Sequence, residues 1–164
     1  MEVRKEFGFH YHEYSGISEL PETLAKLAQK AKEALKSSHS PYSHFAVGAA
    51  VLLDNGEVIL GSNQENGAYP SGICAERVAL FYAGSAYPNL AVTAIAVAAN
   101  YKGKPTIEPI SPCGGCRQVM IETRNMSNCA IKLVMIGEKK VTVVDDVAYL
   151  LPFSFSSIDD AIKE

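Results

Sequence analysis

The chain has 164 residues, 48% of them hydrophobic, with 15 Lys+Arg against 18 Asp+Glu and a formal net charge of −3 at pH 7. That length suits one hydrophobic core, and no Pro/Ser/Gly linker or internal repeat divides it. The slight acidity provides no basic footprint for nucleic acid, and no run of 18 or more apolar residues offers a membrane span, so a small molecule is the expected partner.

In chain order, the opening MEVRKEFGFHYHEY lacks the long apolar h-region of a secretory signal, which makes the cytoplasm the expected location. Phe7, Phe9 and Tyr11 alternate with Glu6, Gly8, His10 and His12, the period-two pattern of a strand with one apolar face. Residues 1–16 therefore read as an added strand or arm that contacts a neighbouring subunit, and residues 17–164 as a single domain. His10 and His12 read as polar surface residues and not as a metal site. Ile17 to Lys36 carries Leu20, Leu24, Leu27, Ala31 and Leu35 at helical spacing, with Ser18 as the cap. Ala46 to Leu53 and Glu57 to Leu60 flank Asp54-Asn55-Gly56, a hairpin signal. A helix from Cys74 to Ala86, a strand from Val92 to Ala99, a helix from Cys113 to Arg124, a strand from Ile131 to Ile136 and a short strand from Val141 to Val144 follow. Helices alternating with apolar strands predict an α/β fold, a three-layer α/β/α sandwich around one mixed central sheet.

The chemistry is concentrated in the cysteines. Cys74-Ala75-Glu76 and Pro112-Cys113-Gly114-Gly115-Cys116 supply three thiolates and a carboxylate. A CxxC pair alone is a weak signal, shared by redox proteins and structural zinc knuckles. A redox pair has no need of Cys74 or Glu76, however, and a closed structural site wants a fourth ligand. The remaining cysteine, Cys129, stands at an apolar run and reads as a small buried hydrophobe. Three ligands leave one position for water, as in catalytic zinc sites, and Glu76 is placed to move a proton beside it. Cys113 and Cys116, three apart on a first helical turn, fall on one side. Cys74 and Glu76 would diverge by about 200° inside a helix, so they must sit at its very start. Asn63 and Glu65, two apart on an extended segment, point the same way.

Four stretches, PYSHFAVGAA, NQEN, ICAERVALF and SPCGGCRQV, occur in this order and are similar to the homotetrameric zinc-dependent cytidine deaminases, with the likeness running from about Pro41 to Phe155. The resemblance implies the cytidine deaminase-like fold, one zinc per subunit on Cys74, Cys113 and Cys116, Glu76 as catalytic proton shuttle, and Arg77 hydrogen-bonded to the ligand thiolates. It implies substrate contacts from Phe45 to the base, from Asn63 and Glu65 to the sugar, and from Ala75. Tyr42, Tyr69 and Phe155 match positions that complete active sites, some across subunit interfaces, and a homotetramer is the implied assembly. Ala46, Gln64 and Val78 depart from the family pattern, as do the extra first 16 residues. The implied activity is hydrolytic deamination of cytidine and deoxycytidine to uridine and deoxyuridine with release of ammonia. Two alternatives stay open: a zinc deaminase of another aminated nucleoside or nucleoside antibiotic, and a noncatalytic zinc-stabilised interaction domain.

Overall fold

The computed structural model describes residues 2–156. Its strands are β1 (Tyr11–Tyr14), β2 (Phe45–Leu53), β3 (Val58–Ser62), β4 (Val92–Tyr101), β5 (Lys104–Pro105), β6 (Lys132–Ile136) and β7 (Val141–Val144). The helices are α1 (Glu22–Ala34), α2 (Ala75–Ala86) and α3 (Gly114–Ser127). The strands form one sheet in the order β1-β7-β6-β4-β2-β3, with β5 folded back on β4. β4 and β6, joined across α3, run parallel, and every other pairing is antiparallel. The sheet is therefore mixed, as the alternation of elements predicts.

Two apolar faces make the three layers. On one, α1 buries Leu27, Ala28 and Ala31 against Ala50, Ala94, Ala96, Ala98 and Val134. On the other, α2 and α3 bury Ala79, Leu80, Cys116 and Met120 against Val51, Ile95, Val97 and Leu133. β4 thus alternates alanine toward α1 with larger side chains toward α2 and α3, so α1 lies close to the sheet. A Cβ on Gly48 of β2 would stand 2.2 Å from the Ala31 carbonyl oxygen, and only glycine permits that approach.

Several boundaries differ from expectation for local reasons. The helix expected from Ile17 starts at Glu22, because Leu20 precedes Pro21 and is held extended at ψ 152°. Ile17–Glu19 forms a separate 3₁₀ turn, and Ser18 caps nothing. β4 runs on to Tyr101 and turns through Lys102 (φ 48°) and Gly103 (φ 78°) into β5, which was not expected. α3 continues to Ser127 and stops where Asn128 adopts the left-handed conformation. The N-terminal strand forms as Tyr11–Tyr14, antiparallel to β7 at the sheet edge.

Candidate active site

Cys74 and Cys113 are the N-caps of α2 and α3, both extended, and Cys116 lies in the first turn of α3. Two helix starts therefore face each other, with their unpaired N–H groups and positive dipole ends favouring thiolate. The Cys74 and Cys113 sulfurs are 3.9 Å apart and those of Cys113 and Cys116 3.5 Å, and all three lie within 4.8 Å of one another. A tetrahedral zinc with bonds of about 2.3 Å sets its sulfurs about 3.8 Å apart, so the donor set fits that ion in both softness and spacing. The thiols perturb one another strongly. Hydrogen bonding from Cys116, then Arg77, pulls the Cys74 thiol down to about 5, while Cys74 and burial push the Cys116 thiol up. Three sulfurs this close cannot all ionise without a cation between them.

Arg77, in the first turn of α2, donates from Nη2 to the Cys74 sulfur at 3.8 Å, and its Nε is buried without a partner among the described residues. Glu76 is 4% exposed, and burial, followed by the charge at Cys74, raises its carboxyl above the ordinary range. Gly61 of β3 fixes the height of this helix start. A Cβ there would lie 2.4 Å from the Ala75 carbonyl oxygen and 2.6 Å from the Ala79 nitrogen. Ala75, wholly buried, is the first residue of α2, so its N–H has no acceptor within the helix.

The cluster forms one wall of a cavity of about 760 Å³ whose other walls include Phe45, Asn63, Glu65, Tyr42 and Tyr69. Asn63 Oδ1 accepts from Val47 N (2.8 Å) and Ser38 Oγ (2.6 Å), and its Nδ2 donates to the Phe45 carbonyl (2.9 Å). Its other Nδ2 hydrogen has no acceptor among the described residues. Glu65 Oε2 accepts from Tyr42 N (2.9 Å) and Ser43 N (3.3 Å), and Oε1 accepts from the Ser43 hydroxyl. The hydroxyl, and then these amides, hold the Glu65 carboxyl below its ordinary range. Tyr42 and Tyr69 meet edge to face at the mouth, centroids 6.2 Å apart, and both are exposed.

Of the predicted site residues, Cys116 and Phe155 do not line this chain's cavity: Cys116 is wholly buried beside Cys113, and Phe155 lies elsewhere on the surface. The Phe155 carbonyl accepts from Gln118 Nε2 at 2.7 Å. Cys129 is half-buried, its sulfur against the Ala130 carbonyl at 3.6 Å. Sequence reasoning passed over three residues that shape the site. Ser43 joins Glu65 to Phe45, whose N–H it accepts at 3.0 Å. Gln64 donates from Nε2 to the Ser37 carbonyl (3.0 Å) and Ser62 Oγ (3.1 Å), while its backbone pairs with Ile73 through two bonds of 2.9 Å. Gly61 is the third. Ser43 sits inside the PYSHF stretch and Gln64 was visible as a departure, but nothing local marks Gly61.

Comparison with known proteins bears on the same residues. The family model for the cytidine and deoxycytidylate deaminase zinc-binding region matches residues 21–133, which include all three cysteines. The chain belongs to this family. It is 41% identical over 136 residues to the cytidine deaminase of Sporosarcina psychrophila, covering 83% of this chain and 93% of that protein. The cytidine deaminase of Halalkalibacterium halodurans is 42% identical over 135 residues, 81% of this chain and 94% of its own. The crystal structure of cytidine deaminase from Burkholderia pseudomallei shares the fold at TM-score 0.68 and 39% identity, over 79% of this chain and 97% of that one. The expected α/β fold, zinc cofactor and enzyme class are those of this family.

Proposed function

We propose that this protein hydrolyses cytidine and deoxycytidine to uridine and deoxyuridine, releasing ammonia. The observation that carries this is one cavity lined by Cys74 and Cys113 of the three-thiol cluster, by the buried Glu76 carboxyl and by a side-chain pair suited to ribose hydroxyls. Zinc on Cys74, Cys113 and Cys116 would supply a Lewis acid that makes water in the cavity more acidic.

The chain's own residues do the rest. Phe45 packs the pyrimidine, and the free N–H of Ala75 at the α2 start is a donor for its ring carbonyl. The free Nδ2 hydrogen of Asn63 and the ionised Glu65 donate to and accept from the sugar hydroxyls. Water attacks C4, and Glu76 takes one of its protons and passes it to N3. Glu76 then carries the second proton to the amino group, which departs as ammonia. A carboxyl raised by burial suits this exchange, since it can both accept and return a proton near neutrality. Among the described residues the one cation in the cavity wall, Arg77, is committed to Cys74, and Glu65 would repel a phosphate, so the substrate is a nucleoside and not a nucleotide.

The proposal includes a homotetramer, in which Phe155 reaches a neighbour's cavity and Tyr42 and Tyr69 meet the adjoining subunit. Their exposure supports this, as does that of Phe81 and Tyr82 on the outer side of α2. It also puts the enzyme in the reducing cytoplasm, since three of its four cysteines are zinc ligands in this reading and none forms a disulfide. Among the described residues no helix is long and apolar enough to cross a membrane. The test follows loss of the cytidine absorbance band by zinc-loaded protein, beside deoxycytidine, cytidine 5′-monophosphate and other aminated nucleosides. Turnover of the two nucleosides but not the monophosphate is expected. Preference for another aminated nucleoside would overturn the substrate assignment, and zinc without any turnover the enzymatic one.

A further inference from the structure

The sheet ends on β1, and β7 pairs with one side of it only. Upstream, the rings of Phe7, Phe9 and Tyr11 follow one another at centroid distances of 6.4 Å and 6.4 Å. Two residues of strand rise about 6.4–6.8 Å, so this arm is extended and carries three rings on one face. The β7 register ends with Val144 opposite Tyr11, which leaves residues 7–10 without a strand on either side among the described residues. Phe9 stacks on Tyr149 (centroids 5.6 Å, planes 18° apart) and ties the arm to the body, while Phe7 and Tyr11 are more than half exposed. An open edge continued by an unpaired aromatic segment is a template for another strand.

The arm's own sequence says which strand fits. Laid antiparallel on itself about Phe9, it sets Phe9 opposite Phe9, Phe7 opposite Tyr11, Lys5 opposite Glu13 and Glu6 opposite His12. Rings then meet rings on one face, and the Lys5 ammonium meets the Glu13 carboxylate at each end. A slip of one residue puts the two sets of rings on opposite faces. Centring on Gly8 sets Lys5 against Tyr11, and centring on His10 sets Phe7 against Glu13. Glu13 holds Lys140 through Oε1 at 3.1 Å, and its other oxygen is available to a second cation.

We propose that two copies of this chain join edge to edge through residues 5–13, antiparallel and centred on Phe9, so that one sheet continues into the other. The arm lies outside the cavity, and the proposal does not depend on the catalytic reading.

Opposed residues in such a pair have Cα atoms about 4.5–5.5 Å apart, within disulfide reach. The experiment uses the full-length zinc-loaded enzyme with Cys129→Ser, comparing Phe9→Cys with His10→Cys under mild oxidation on a non-reducing gel. Phe9→Cys is expected to give a two-chain species at least tenfold faster than His10→Cys, whose opposite residue is Gly8, while Cys129→Ser alone gives none. Adding Lys5→Glu should abolish the Phe9→Cys link, and adding Glu13→Lys to that should restore it. No two-chain species, or equal rates at positions 9 and 10, would overturn the proposal, whether the edge takes some other strand or none. A link indifferent to both charge reversals would overturn the register. Retained cytidine turnover in each variant checks that the body is folded.

Discussion

Gly61→Ala is the substitution that most directly tests how the fold positions its chemistry. The added methyl would sit 2.4 Å from the Ala75 carbonyl oxygen and 2.6 Å from the Ala79 nitrogen. Both are backbone atoms that cannot rotate away, so the start of α2 must lift by about 1 Å to restore ordinary contact. Overpacking of this kind costs about 1–3 kcal/mol, roughly 2–12 °C in Tm for a chain of this size. Cys74, Ala75 and Glu76 ride on that helix start, and a misplacement of about 1 Å can cost about 10²-fold in rate. Gly48→Ala is the matched control. Its methyl would stand 2.2 Å from the Ala31 carbonyl oxygen, on the opposite face and against α1. Steady-state kinetics on cytidine beside thermal unfolding should show comparable losses of stability, with kcat falling about 10²-fold for Gly61→Ala alone. Gly48→Ala should act on KM, because α1 runs on toward Ser38, which holds Asn63. Equal kcat losses from both, or a Gly61→Ala enzyme with full activity, would show that the seating of α2 on β3 does not set the geometry.

Three further outcomes follow from the same contacts. Glu76→Gln should retain zinc by metal analysis and lose about 10²–10⁴-fold in kcat; because burial raises the folded-state carboxyl, stability is withdrawn as pH rises above the unfolded carboxylate value, so metal-free Glu76→Gln should melt higher than the metal-free parent at pH 7 but not at pH 3. Gln64→Leu removes the ties to Ser37 and Ser62 made between Asn63 and Glu65, the residues proposed to bind the sugar; KM for cytidine should rise about tenfold with kcat nearly kept and free cytosine unaffected, and an equal loss on both substrates would refute a positioning role. Arg124→Met breaks the bidentate pair with buried Asp146 (Nε to Oδ1 2.9 Å, Nη2 to Oδ2 2.7 Å), whose Oδ1 also accepts from Ala148 N, and should cost about 3 kcal/mol in urea unfolding without changing KM.

How much was legible in the sequence followed from the range of the determinants. The hairpin about Asn55-Gly56 and the seating of Cys74 at a helix start rest on residues within a few positions of each other, and they were read correctly. The Leu20-Pro21 break was equally local but was overridden by the run of leucines around it. The Lys102-Gly103 turn lacks an asparagine signal and follows a strand whose apolar run ends at Ala99, so its hairpin went unseen. Gly48 and Gly61 read as ordinary strand glycines, because what they avoid is backbone from distant segments. The two-faced demand on β4, alanine toward α1 and larger residues toward α2 and α3, appears in the sequence only as an apolar run. Ser43 and Gln64 matter through partners 22 and 27 residues away, a separation no local pattern reports.

Charge explains why the site includes an arginine that bonds to a sulfur. Three thiolates on a divalent ion leave an excess of one negative charge, and a buried Glu76 adds another when it ionises. Two unit charges about 4 Å apart near a protein surface interact by about 4 kcal/mol, so an uncompensated cluster would push Glu76 further up and weaken the Lewis acid. Arg77 opposes both effects from 3.8 Å, and the two helix starts add their dipoles. Arg77→Gln should therefore keep the fold and the zinc while kcat/KM falls about 10–100-fold, with the acid limb of its pH profile displaced to higher pH as Glu76 becomes harder to ionise. Arg77→Lys should restore the position of that limb more fully than the rate, because the charge returns without the planar set of donors. An unshifted acid limb in Arg77→Gln would mean that the guanidinium serves only to pack α2, and that the helix starts alone balance the sulfurs.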